Sequence, residues 1–218
     1  MAVKHLYMIS GLGADDRVFT RLQFPDDYEL HYLPWITPLQ DEPISSYAAR
    51  MAEGITTDGP VYLAGLSFGG IMSIEIAKIR PVVQTIIISS IKHKSEKPAY
   101  FNWVLRLGLN KLPDFLVFQN RGPVVEYYMD VKSPEEKQLL KEYLAKKDYF
   151  YTRWAINTIL NWQNEYVPEN IVHIHGDKDH PFPIKYLQPT HVLKNAGHFM
   201  IWNRAAEINQ ILAAELKK

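Results

Sequence analysis

The stretch VYLAGLSFGGIMSIEIA (residues 61–77) decides the fold of this chain. An apolar run of strand character leads into Gly-x-Ser-x-Gly at Gly65, Ser67 and Gly69, and an apolar, helix-compatible segment follows. This succession is typical of a nucleophile elbow, a turn that strains the backbone of the serine and leaves no room for larger side chains at the two glycines. The turn is expected to place the Ser67 hydroxyl at a helix N-terminus, where free N–H groups favour developing negative charge. The alternative is an ordinary strand-to-helix turn in which Ser67 only caps the helix.

Two further segments of strand character end in glycine turns that carry ionisable residues. The run IVHIHGDKD (residues 171–179) ends with two aspartates, and the run HVLKNAGH (residues 191–198) ends with His198. The chain order is therefore serine, aspartate, histidine, and each group lies just past the C-terminal end of a predicted strand. Parallel α/β sheets build their sites on that edge. The order differs from that of two other well-known folds with a serine triad.

These motifs resemble those of the α/β-hydrolase superfamily. The matching stretches are GLSFG, GDKD, AGHF and ISGLG, at residues 65–69, 176–179, 196–199 and 9–13. In the family the last of these often contains His-Gly, and Ser10 stands in place of that histidine here. The resemblance covers nearly the whole chain except roughly residues 91–165.

The resemblance implies an α/β fold with a mostly parallel sheet of about six strands, flanked by helices and carrying an inserted helical cap. Apolar, β-branched runs predict strands near residues 3–9, 28–33, 60–66, 84–90, 171–176 and 190–194. Their spacing leaves room for crossovers, which favours parallel pairing. Helical patterns fall near residues 44–54, 68–79 and 204–216. No obvious equivalent of the first antiparallel hairpin of the family is present.

Residues 91–165 differ from the rest of the chain. Prolines divide them into short helical pieces, and they hold about half of the aromatic residues of the chain. The segment falls where the family carries its cap, which implies a core domain of residues 1–90 and 166–218 and a cap of residues 91–165. Most of these aromatic residues are expected to pack within the cap, and a few are expected to face substrate.

Two cap helices have local signals. Ser133-Pro134-Glu135-Glu136 predicts a helix start, with a serine N-cap followed by proline and acidic residues in the first turn. Residues 149–162 predict an aromatic helix. Trp154, in the middle of it, is the candidate substrate-binding residue, and packing within the cap is its alternative role.

The resemblance also implies the roles of individual residues. Ser67 would be the nucleophile and His198 the general base, since a serine hydroxyl needs an adjacent base. Asp177 and Asp179 both lie in the right neighbourhood to orient the imidazole. The family's acid usually follows the strand-ending glycine by three positions, which favours Asp179.

An oxyanion hole needs two donors. The resemblance implies the backbone N–H of Phe68 and that of Leu12, in the loop after the first strand. Asp15 or Asp16, just downstream, could bind substrate, although helix capping or pairing with Arg17 is the favoured role.

The remaining histidines give little support for a metal site. His173 and His175 share a strand face, but no third ligand of clear spacing accompanies them. His5 and His31 lie in or near early strands, and they, like His173 and His175, are expected to be core or surface residues. No metal or organic cofactor is therefore expected.

The composition argues against several classes of partner. The 24 basic and 24 acidic residues cancel, so the electrostatic footprint of a nucleic-acid binder is missing. The chain has no cysteine, which suits the cytoplasm as the expected location. The first apolar run is too short for a signal peptide, and no stretch approaches the ~18 apolar residues of a membrane span. The expected partner is a small-molecule substrate, and the sequence leaves homodimer formation open.

The predicted function is that of a serine hydrolase that cleaves an ester or related acyl bond of a small, partly apolar substrate through an acyl-enzyme. The sequence is compatible with two alternatives. The same triad serves C–C bond hydrolysis, lyase or peracid chemistry within the family, and a non-catalytic small-molecule receptor can keep the same fold. Fold alone does not separate them.

Overall fold

Six parallel strands form the central layer of the structure, a computed structural model in which residues 3–114 and 121–217 are described. The strands are β1 (Lys4–Ile9), β2 (Tyr28–Tyr32), β3 (Val61–Leu66), β4 (Gln84–Ile88), β5 (Ile171–Gly176) and β6 (His191–Leu193). Their spatial order is β2-β1-β3-β4-β5-β6, and every neighbouring pair is parallel. All six predicted strands are confirmed, and this sheet contains no antiparallel hairpin within the described ranges.

Helices lie in the connections from β2 to β3, from β3 to β4 and from β4 to β5, as crossovers between parallel strands usually require. Those of the described residues are α1 (Ile44–Ala52), α2 (Phe68–Ala77), α3 (Tyr100–Arg106), α4 (Gly122–Met129), α5 (Pro134–Ala145), α6 (Tyr149–Asn161), α7 (Met200–Asn203) and α8 (Ala205–Glu215). The helices predicted near residues 44–54, 68–79 and 204–216 correspond to α1, α2 and α8.

Four helices, α3 to α6, lie in the long connection between β4 and β5. The predicted N-cap of α5 is confirmed, because the Ser133 hydroxyl accepts a hydrogen bond from the N–H of Glu136 at 3.1 Å and Pro134 opens the helix. Asp148 caps α6 in the same way, accepting from the N–H of Tyr151 at 2.9 Å. Residues 115–120 of the predicted cap lie outside the described residues.

The strands divide their side chains between two apolar layers, as strands buried on both faces should. Tyr7 and Leu63 point into the layer that contains α1 and α2, whereas Leu6 and Ala64 point into the layer that contains α7 and α8. The connection helices contribute to both layers, with α6 in the first and α5 in the second. The carboxyl ends of β1, β3, β5 and β6 therefore meet at one edge of a sheet held firmly on both faces.

Candidate active site

Ser67 lies in a tight turn between β3 and α2. Its backbone has φ of 52° and ψ of −116°, a left-handed conformation that is costly for a residue with a side chain. A Cβ atom on Gly65 would lie 2.2 Å from the carbonyl oxygen of Gly69, and one on Gly69 would lie 2.1 Å from that of Ile9. The glycines at both positions are therefore a steric requirement of this turn, as the motif predicts.

Three polar side chains from different elements form one hydrogen-bonded chain. The Nε2 atom of His198 lies 3.0 Å from the Oγ atom of Ser67, and its Nδ1 atom lies 2.7 Å from the Oδ2 atom of Asp179. A carboxylate only accepts hydrogen bonds, so Nδ1 carries the hydrogen and Nε2 is free to accept one from the serine hydroxyl. The imidazole and the carboxylate are both buried.

The two aspartates of the β5 turn have different contacts. The Oδ1 atom of Asp179 accepts a hydrogen bond from the N–H of Phe182 at 2.7 Å, which leaves its Oδ2 atom directed at His198. Asp177 instead accepts from the N–H of Asn195 at 2.6 Å and so ties the β5 turn to the turn after β6. The structure therefore brings Asp179 to His198 and uses Asp177 as a turn residue.

Two backbone N–H groups, those of Phe68 and Leu12, lie near Ser67 in the chain or in space. Neither the N–H of Phe68 nor that of Leu12 donates to an acceptor among the described residues. The first belongs to the first turn of α2, where N–H groups lack partners within the helix. Leu12 follows Gly11, and the backbone of Gly11 passes close to Ser67. A Cβ atom placed on Gly11 would lie 3.6 Å from the Cβ atom of Ser67. Both N–H groups therefore lack an acceptor within the described part of the chain.

A cavity of about 350 Å³ opens in front of Ser67 and His198. Loop residues 11–14 form one side of it, and α4, α5 and α6 supply most of the remainder. The apolar side chains contributed by these three helices are Val124, Val125, Met129, Leu140, Leu144 and Ile156. Arg121 and Lys146 are the basic residues of the wall. The cavity suits a ligand with an apolar part.

The sequence model described as the alpha/beta hydrolase family matches residues 9–211, which include every element named above except part of β1 and the end of α8. The chain belongs to the alpha/beta hydrolase family. The parallel sheet flanked by helices is the fold that this membership requires. No curated protein matches the sequence.

Solved structures share the fold of this alpha/beta hydrolase at low identity. A putative lipase from Acinetobacter baumannii has 16% identity and a TM-score of 0.69, with 99% of this chain and 85% of that chain covered. A lipase-esterase related protein from Clostridium acetobutylicum has 14% identity and a TM-score of 0.70, with 98% of this chain and 94% of that chain covered. A putative non-heme bromoperoxidase from Mycobacterium tuberculosis has 15% identity and a TM-score of 0.62, with 98% of this chain and 92% of that chain covered. Similarity at this level supports the fold alone.

A chain of buried groups that the sequence did not predict lies behind Asp179. The Nε2 atom of His175 lies 3.5 Å from the Oδ2 atom of Asp179 and donates to the carbonyl of Phe182 at 2.8 Å. Its Nδ1 atom therefore accepts from the Nε2 atom of His173 at 3.3 Å, and the ammonium of Lys92 lies 3.5 Å from the Nδ1 atom of His173. Burial lowers the pKa of His175, and it lowers the pKa of His173 to about 2, so both rings are neutral. His175 thus packs beside the acid, and His173 packs behind His175.

Trp154 does not lie in the wall of the Ser67 cavity. Its indole N–H donates to the carbonyl of Glu42 at 2.8 Å, and its ring packs 4.2 Å from that of Tyr47. Thr152 and Ile156, on the same helix, do line the cavity. At about 100° per residue, Trp154 is on the opposite side of α6 from both. The sequence could not show which side faces the cavity, because apolar or aromatic residues occur on several sides of this helix.

The residues near Asp15 have structural contacts. Asp15 caps the 3-10 helix Asp16–Phe19 by accepting from the N–H of Arg17, and its carboxylate also pairs with the guanidinium of Arg17 and with Lys146. Arg17 extends further to Glu142 of α5. The capping and pairing roles favoured from the sequence are the ones observed, and together they tie the loop after β1 to α5.

A second residue that the sequence did not predict is Ser90, just after β4. Its hydroxyl donates to the carbonyl of Ser67 at 2.7 Å, and so it supports the strained turn from the neighbouring strand. The only sequence signal was its position at the carboxyl end of a predicted strand.

Among the described residues, no helix has the length and apolar character to cross a bilayer.

Proposed function

We propose that this alpha/beta hydrolase is a serine hydrolase that cleaves an ester or related acyl bond of a small, partly apolar substrate. The observation that carries the proposal is the chain from Ser67 through His198 to Asp179 at the mouth of an apolar cavity. The names of the similar lipase and lipase-esterase structures agree with it.

In the first step, the Oγ atom of Ser67 attacks the acyl carbon while the Nε2 atom of His198 accepts the hydroxyl proton. Asp179 holds the hydrogen on Nδ1 and stabilises the imidazolium that forms. The proton then passes from Nε2 to the leaving alcohol, and an ester bond joins the acyl group to Ser67. In the second half of the reaction, water gives a proton to the same imidazole and attacks the acyl-enzyme. The proton then passes from Nε2 to the Oγ atom of Ser67 as the bond to the acyl group breaks, which releases the acid and restores the serine.

The negative oxygen of each tetrahedral intermediate would receive hydrogen bonds from the N–H groups of Phe68 and Leu12. Both donors are fixed before the substrate arrives, one by the start of α2 and the other by the loop after β1. Fixed donors stabilise the transition state without reorganisation, and losing one typically costs about 10²–10³ in rate.

Residues 91–165 would act as a cap on a core of residues 1–90 and 166–218. Support comes from α4, α5 and α6, whose apolar side chains form much of the cavity wall, whereas the proposed triad belongs to the strand ends of the core. An apolar wall excludes water and limits the length of the acyl or alcohol group.

The first experiment is labelling with a fluorophosphonate, followed by a panel of p-nitrophenyl esters of increasing acyl length. Ser67→Ala should remove labelling and lower kcat by at least about 10⁴-fold, with an unchanged circular dichroism spectrum. Ser95→Ala is the matched control, because the Ser95 hydroxyl also lies 2.7 Å from an imidazole nitrogen, that of His93, at the surface. It should behave as the wild type.

Each result decides between the candidate functions. Full labelling of Ser67→Ala would disprove the assignment of the nucleophile. Labelling of the wild type without turnover of any ester would favour a receptor on this fold, or C–C hydrolysis, lyase or peracid chemistry at the same serine.

A further inference from the structure

Strands β1 and β2 bring three side chains with metal-ligand atoms together at one edge of the sheet. His5 pairs in register with Glu29, and the next residues on the same face, Tyr7 and His31, also pair. Because alternate residues of a strand share a face, His5, Glu29 and His31 all project to the same side. Among the described residues, this is the group of three histidine and carboxylate side chains whose ligand atoms lie within 4.8 Å of one another.

The distances between the ring nitrogens and the carboxylate oxygens of these three side chains are close to those of a tetrahedral metal site. The Nδ1 atom of His5 lies 3.0 Å from the Nε2 atom of His31, and the two carboxylate oxygens of Glu29 lie 3.7 and 3.6 Å from these nitrogens. With metal–ligand bonds of about 2.0–2.1 Å, the ligands of tetrahedral zinc are separated by roughly 3.3–3.5 Å. A rotation of the Glu29 carboxylate that brings one of its oxygens towards both nitrogens would therefore place all three side chains around one ion.

The surrounding residues hold both imidazoles in place. The ring of His31 stacks on that of Tyr7, with centroids 4.5 Å apart and planes inclined by 17°. The loop before β3 passes so close to His5 that a Cβ on Gly59 would lie 2.8 Å from its Cδ2 atom. The imidazoles are only 14% and 23% exposed, while Glu29 is 57% exposed and leaves access for an ion and a water ligand. Rings that are already oriented lose little freedom when a metal binds.

We propose that His5, Glu29 and His31 bind one divalent transition-metal ion, with Zn²⁺ as the best match and water as its fourth ligand. Two imidazoles select a transition metal over Mg²⁺ or Ca²⁺, which prefer oxygen ligands. The site is independent of the proposed hydrolase activity. It lies beside the start of β3, roughly 20 Å along the strand from Ser67 at about 3.3 Å per residue.

The ion would stabilise the edge of the sheet. β2 is the outermost strand and is paired only with β1. Two ligands on β2 and one on β1 would join the strands through the metal in addition to their backbone hydrogen bonds. An ion that binds the native state and not the unfolded chain raises stability with its concentration.

The experiment is isothermal titration calorimetry of the untagged, chelator-treated protein with Zn²⁺, accompanied by absorption spectra with Co²⁺. The expected results are one ion per chain, visible Co²⁺ bands of the intensity that tetrahedral sites give, and a melting temperature that rises with Zn²⁺. Glu29→Gln and His31→Gln should each weaken binding by about tenfold or more, since even loss of a group that orients a ligand costs about 10–100-fold. Glu29 is exposed, so its substitution leaves the metal-free fold intact.

His191→Gln is the matched control, because His191 and Glu215 form a histidine–carboxylate pair at 2.9 Å outside the proposed site. It should leave the Zn²⁺ affinity unchanged. Absence of Zn²⁺ binding by the wild type would overturn the proposal. Equal affinity of the wild type and both ligand variants would also overturn it and would assign the ion to another position.

Discussion

Asp179 uses its two carboxylate oxygens for different contacts. One oxygen is held by the N–H of Phe182, and the other accepts from the Nδ1–H group of His198. The buried ring of His175 packs beside the second oxygen. A carboxylate fixed from two sides holds the imidazole in the tautomer that leaves Nε2 facing Ser67.

Asp179→Asn should therefore lower kcat by up to about 10⁴-fold, because an amide can donate to Nδ1 and so favour the wrong tautomer. Asp177→Asn should have little effect, since an amide oxygen still accepts from the N–H of Asn195. The measurement is steady-state kinetics of both purified variants with the best ester of the panel. A larger loss in Asp177→Asn, with both proteins folded, would reverse the choice of the acid.

At the scale of elements, α6 separates two environments. One side carries Thr152 and Ile156 into the wall of the Ser67 cavity. The other carries Trp154 against the rings of Tyr47 and Phe68, with centroids 4.2 and 5.9 Å away. Residues two positions apart on one helix should thus affect different properties of the protein.

Ile156→Ala should lengthen the acyl group that the protein prefers, because it enlarges the cavity in front of Ser67. The change should appear in KM and in the chain-length profile more than in kcat for the shortest ester. Trp154→Ala should leave the profile unchanged and lower the free energy of unfolding, by up to the ~3–5 kcal/mol that loss of a packed aromatic side chain costs. The chain-length profile and the melting temperature are measured together. An altered profile in Trp154→Ala alone would return the substrate-binding role to Trp154.

At the scale of the whole molecule, the buried histidines make stability depend on pH. Burial lowers the pKa of His175 and lowers that of His173 to about 2, whereas both titrate near 6.5 in an unfolded chain. Below about pH 6.5 the unfolded state therefore binds protons that the native state does not bind, and stability falls as the pH decreases. Stability continues to fall as the pH decreases towards the pKa that each ring has in the folded state.

Each histidine that stays neutral in the native state should lower the free energy of unfolding by about 2 kcal/mol when the pH falls from 8 to 5. His173→Gln should remove that share of the pH dependence, whatever its effect on stability at pH 8. Urea unfolding at several pH values measures the slope, and His93→Gln, at the surface, is the control. A slope in His173→Gln equal to that of the wild type would show that this ring does not contribute.

The strands and the three core helices were predictable from the sequence because local patterns determine them. Apolar β-branched runs, separated by enough residues for crossovers, favour a parallel sheet. The glycines around Ser67 were predictable for a similar reason, since the turn they permit is set by backbone sterics within five residues. The order of the candidate triad residues along the chain, Ser67, Asp179 and His198, can be read directly from the sequence.

Which residues touch one another was decided only by the tertiary structure. Trp154 and Ile156 are both apolar residues of one helix, and only the packing of α6 determines which of them reaches the cavity. His175 could not be placed beside Asp179, nor His5 beside His31, because those contacts depend on how strands pair and on which face each residue takes. The sequence by itself determined the six strands, the helices α1, α2 and α8, the parallel arrangement of the strands and the types of residue at the strand ends. The tertiary structure decided the walls of the cavity, the partners of the aspartates and the histidine cluster at the sheet edge, because such contacts join residues distant in the chain through packing that no local pattern records.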